Sequence, residues 1–136
     1  MKISLLVPLF FLGLVSCISG SDEVGKISAK VAAQLVQENK AVLIDVREKD
    51  EIALGMAQPA KWFPSSKLNT AEWDQFLVGL PKDKEVILYC RSGRRASNVA
   101  KILTSKGYKV KNMGAFDSWV QEKLPTISGA TTELKK

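Results

Sequence analysis

The chain has 136 residues, 46% of them apolar and 25% charged, enough for one packed domain and too ordinary in balance for a disordered or disulfide-dense chain. Its 20 Lys and Arg against 14 Asp and Glu give a net charge of +6, a modest excess that suits small anionic substrates. The lysines are scattered, with Lys135-Lys136 their only run, and no histidine is present, so neither a nucleic-acid partner nor a Cys-His dyad is expected.

In chain order, Met1-Lys2 followed by the apolar stretch from Ile3 to Leu14 has the charged start and short apolar centre of an export signal, and residues 1–20 are assigned to it. The stretch is too short to span a bilayer comfortably. Leu14-Val15-Ser16-Cys17 resembles the lipobox of bacterial lipoproteins, which implies lipidation at Cys17 and a membrane anchor. Ordinary cleavage near Ser19-Gly20, leaving a soluble periplasmic protein, is the alternative. Either way the expected location lies outside a bacterial cytoplasm, with residues 21–27 as a linker.

Once that segment is removed, Cys90 is the only cysteine left, so no internal disulfide is available. A lone thiol in an oxidising compartment is open to oxidation and mixed disulfides, which weighs a chemical role against that of an inert buried side chain.

Ser28 can cap a helix whose apolar positions Ile27, Val31, Ala32, Leu35 and Val36 recur at helical spacing through Gln37. Ala41 to Asp45 is a continuous apolar run of the kind found in a strand covered on both faces. A short helical piece over 48–54 stops at Gly55, and Lys61-Trp62-Phe63 reads as a brief strand halted by Pro64. Thr70 can cap a helix carrying Trp73, Phe76 and Leu77. Glu85 to Tyr89 is a second buried strand running straight into Cys90.

Ala96, Val99, Ala100 and Leu103 then mark a helix closing near Gly107, followed by a strand over 108–113. Residues 126–136 are polar and read as a flexible tail, leaving a domain over 28–125. Such alternation predicts an α/β fold, a mostly parallel central sheet flanked by helices on both faces, with ligands bound at the carboxyl ends of the strands. Trp62, Trp73 and Trp119 are expected in the core or at a pocket rim.

Cys90 sits at such a strand end, in the loop Cys90-Arg91-Ser92-Gly93-Arg94-Arg95. A strand, a tight loop and a helix N-terminus together aim backbone N–H groups at one point, where the helix dipole adds positive charge. Three arginines add formal charge that favours a thiolate nucleophile. Gly93 fits a place where the backbone must turn sharply or approach an anion closely. Arg91, Ser92, Gly93, Arg94 and Arg95 are the candidate substrate contacts, with Arg94 the first choice among the arginines, because all three cannot point inward. Ser97 is either a further donor or an exposed helix residue.

Three segments, Leu43-Ile44-Asp45-Val46-Arg47, then Tyr89-Cys90-Arg91-Ser92-Gly93-Arg94-Arg95-Ala96-Ser97, then Met113-Gly114-Ala115-Phe116-Asp117-Ser118-Trp119, resemble the successive motifs of the rhodanese family. The resemblance covers residues 28–124. It implies a rhodanese-like fold and a thiosulfate sulfurtransferase in which Cys90 takes a sulfane sulfur from a small anionic donor and passes it, as a persulfide, to cyanide or a thiol. No cofactor or metal is implied, and a monomer is expected. Asp45 and Arg47 would lie near the active loop in a supporting role. Where family members often read Gly-His-Ile-Pro-Gly-Ala, this chain has Gly55-Met56-Ala57-Gln58-Pro59-Ala60, which leaves the neighbouring pocket wall and the substrate preference open.

Two other functions compete. Rhodanese-like phosphatases and arsenate reductases carry a Cys-x5-Arg loop, but here that arginine position is Ala96 and Arg95 lies one residue short. A non-catalytic or partner-specific sulfur-delivery module would use Cys90 to load a dedicated protein in place of a free acceptor.

Overall fold

A computed structural model describes residues 24–128. The segment expected to be an export signal, Cys17 and residues 129–136 lie outside the described residues. Five strands form one sheet in the order β1-β6-β5-β2-β4, namely β1 Gly25–Lys26, β6 Lys109–Ala115, β5 Glu85–Cys90, β2 Ala41–Asp45 and β4 Lys61–Trp62. Every neighbouring pair in it is parallel. The helices are α1 Ala29–Gln37, α2 Lys49–Ile52, α3 Ala71–Val78, α4 Arg94–Ser105 and α5 Phe116–Gln121, with a 3-10 turn at Ser65–Lys67. The expected α/β architecture is therefore present.

The alternation of side chains along a strand divides the core in two. On β5, Val86, Leu88 and Cys90 face one cluster, which also holds Trp73 of α3 and Ala96, Val99, Ala100 and Leu103 of α4. Ile87 and Tyr89 face the other, with Ala29 and Ala32 of α1 and Trp119 of α5. Strands β2 and β5 are apolar apart from Asp45 and Glu85 at their ends, because helices cover both of their faces. Val31, expected on the buried stripe of α1, is 45% exposed; the helix turns Ala29 and Ala32 to the sheet, and Val31 stands between them on the solvent side.

The structure moves three boundaries. Gly25 and Lys26, expected in a linker, pair in parallel with Lys111 and Asn112. Thr126 and Ile127, expected at the start of a tail, form β7 and pair antiparallel with β3, Met56–Ala57. Helix α4 starts at Arg94, two residues before its first apolar position, so two of the loop's arginines belong to its first turn.

Candidate functional site

Cys90 closes β5, and its residue is fully buried. The chain then turns through Arg91 and Ser92 to Gly93, the N-cap of α4. Gly93 holds φ +87°, and a Cβ there would stand 3.0 Å from the Cα of Gly114, so both the backbone conformation and the space require glycine. Its N–H points back and donates to the Cys90 sulfur at 3.0 Å. Strand end, left-handed glycine and helix start thus place a backbone donor and the amino end of a twelve-residue helix beside one thiol.

Asn112 braces this turn. It is 7% exposed, its side-chain amide donates to the Gly93 carbonyl at 3.0 Å and to Ser97 Oγ at 2.8 Å, and its Oδ1 accepts from the Gly114 N–H at 2.8 Å. The register between β5 and β6 shifts between Leu88 and Tyr89, and Gly114 lies just past that bulge, which re-aims the chain toward the Cys90 loop. Ser97, read from sequence as a possible anion donor, is an acceptor in this brace.

The three arginines are not equivalent. Arg91 and Arg94 are exposed and form no ion pair among the described residues. Arg95 is half-buried and donates to both oxygens of Glu51, at 2.6 and 2.7 Å. That bidentate bond pulls the Glu51 carboxyl down to about 2, against the opposing effect of burial. Arg95 is raised in turn, first by the hydrogen bond to Glu51 and to a smaller degree by Cys90. On the β1 side of the loop, Arg94, Ser92, Gly93, Asn112 and Lys26 line a cleft of about 520 Å3.

Asp45 and Arg47 form a second pair, in register with Tyr89 and not at the thiol. Arg47 donates to Asp45 through its backbone N–H, Nε and Nη2 at 2.7–3.0 Å, and through Nη2 to the Gly55 carbonyl at 2.7 Å. Its guanidinium lies 4.1 Å from the centre of the Phe116 ring, and Tyr89 accepts from the Ala57 N–H at 3.0 Å. Burial pulls the Arg47 pKa down, but the Asp45 hydrogen bond and charge outweigh it. In Tyr89, burial and then Asp45 both push the phenol up. Trp73 and Trp119 are buried, and Trp62 donates to the Arg47 carbonyl at 2.8 Å.

Sequence reasoning missed Glu51 and Asn112. Glu48 and Glu51 close a capping box at the start of α2, but Arg95 lies 44 residues further along the chain.

Comparison with known proteins agrees with this fold. Residues 28–122 match the family described as "Rhodanese-like domain". A protein of Allochromatium vinosum named sulfurtransferase is 30% identical over 103 residues, covering 74% of this chain and 92% of its own length. The thiosulfate:glutathione sulfurtransferase of Saccharomyces cerevisiae is 32% identical over 90 residues, 58% of this chain and 64% of its own. The crystal structure of a rhodanese-related protein from Thermoplasma volcanium superposes with a TM-score of 0.64 at 24% identity, over 76% of this chain and 97% of that one.

Proposed function

The chain belongs to the rhodanese-like domain family, its similar proteins include sulfurtransferases, and on that premise we propose that it moves sulfane sulfur from thiosulfate or a like anion to a thiol or cyanide through a persulfide on Cys90. The observation that carries this reading is the Gly93 N–H at 3.0 Å from the Cys90 sulfur, at the head of a helix flanked by two free arginines. A charged sulfur is stabilised there without a histidine or a metal ligand set.

In the first step the Cys90 thiolate attacks the outer sulfur of thiosulfate. A new sulfur–sulfur bond forms, the old one breaks, and sulfite leaves with the electron pair and its two charges. Arg91 and Arg94 orient the donor's oxygens. The persulfide keeps one negative charge on its terminal sulfur, which the loop amides stabilise. In the second step cyanide or a thiolate attacks that terminal sulfur, and Cys90 leaves as the thiolate. Because Cys90 is buried, entry of the donor requires the thiol to rotate or the exposed Arg91-Ser92 turn to open.

The loop spans six residues from Cys90 to Arg95, and Arg95 is already bound to Glu51. Both facts favour sulfur transfer over phosphoryl or arsenate chemistry, which needs a wider cradle with its arginine turned inward. The separating experiment is a pair of assays on one preparation: thiosulfate-dependent thiocyanate formation is expected, and hydrolysis of an aryl phosphate is not. Phosphate release without thiocyanate would overturn the reading.

A further inference from the structure

Arg95 is turned away from the substrate role that its place in the loop suggests. Its two terminal nitrogens donate to separate oxygens of Glu51, a geometry that fixes the guanidinium in direction as well as place. Glu51 is itself held from behind. It accepts from the Glu48 N–H at 2.9 Å, and the Glu48 carboxylate is bound by Ser65 Oγ, the Ser66 N–H and Ser66 Oγ at 2.6–3.1 Å. The four-residue α2 is thus tied to the 3-10 turn on one side and to the first turn of α4 on the other.

We propose that Glu51 is a positioning residue of the Cys90 loop, holding the Arg95 guanidinium beside the thiol but occupied, so that Arg91 and Arg94 alone serve the anion seat. The proposal takes the identity of the anion from the sulfur-transfer reading, though not the existence of the seat. A dianionic donor then meets two free cationic groups, and the dianionic sulfite that leaves is held no more tightly. A third free cation would bind both more strongly and slow release. Arg95 stands close to that seat, in the first turn of α4 and two residues past Gly93, whose N–H donates to the Cys90 sulfur.

The test uses sulfate as the probe and the amide resonance of Gly93 in the full chain as the reporter, so it depends neither on turnover nor on access to the thiol. Glu51→Gln is expected to bind sulfate roughly fivefold more tightly than wild type, the effect of one added ion pair at a partly exposed site. The gain should vanish in Glu51→Gln/Arg95→Gln. In thiosulfate turnover the single variant lowers KM and kcat together, a split that simple loss of stability does not produce. Glu51→Asp, which keeps the charge but reaches only one nitrogen, should shift sulfate binding less in the same direction and serves if the glutamine variant does not fold. Unchanged or weaker sulfate binding in the folded variants, or a gain that survives removal of Arg95, overturns the proposal. A wild type that shows the sulfate shift pattern but takes up no sulfur from thiosulfate overturns the sulfur-transfer reading and leaves the role of Glu51 standing.

Discussion

Two arginine–carboxylate pairs flank the end of β5, and they differ chiefly in burial. The side chains of Arg47 and Asp45 are 6% and 0% exposed, whereas those of Arg95 and Glu51 are 31% and 21% exposed. A sealed pair has no water to replace a missing partner, so Asp45 and Arg47 satisfy each other, and Nη2 of Arg47 also donates to the Gly55 carbonyl. An open pair can be loosened at small cost. The sealed pair therefore suits a scaffold under Tyr89, and the open one suits adjustment beside a reacting thiol.

The largest expected effect comes from breaking the sealed pair. Arg47→Met leaves Asp45 buried and uncompensated and should cost about 3–5 kcal/mol in denaturant unfolding, while Glu51→Gln should cost no more than about 1 kcal/mol. The Glu51 share also has a pH signature. Its folded pKa, about 2, lies below the ordinary 4.5, so its contribution is complete above 4.5 and is lost as pH falls toward 2. Equal costs for the two variants at neutral pH would break the comparison.

A smaller effect separates the two free arginines. Arg94→Gln should raise the thiosulfate KM by about tenfold, the scale of one lost charge-assisted hydrogen bond, and Arg91→Gln by about threefold or less on the same scale. Steady-state kinetics on the two variants checks the order. The reverse order would move the donor contact from the first turn of α4 to the turn before it.

Much of this was legible in the residues, for identifiable reasons. The runs Ala41–Asp45 and Glu85–Tyr89 read as buried strands because both faces of each are covered, which writes apolarity at every position but Asp45 and Glu85. Ser28 and Thr70 read as caps, and each accepts the N–H three residues on, at 3.3 and 3.4 Å. The two-residue strands β1, β3 and β7 carry no such pattern, because two residues are too few to show a period and their place is set by backbone pairing with segments distant in the chain. At the site, Cys90 and Gly93 were legible from the loop's own chemistry. Asn112 and Glu51 were not, since each acts through a partner distant in the chain, on Gly93 and Arg95. For the same reason the loop's own residues do not reveal that Arg95 is paired with Glu51.

The central claim is that sulfur rides on Cys90, and intact mass after exposure to thiosulfate tests it most directly. Wild type should gain the mass of one sulfur atom and lose it again on addition of cyanide or a thiol, while Cys90→Ser should gain nothing. An equal gain on both proteins, or no gain on the wild type, would contradict it.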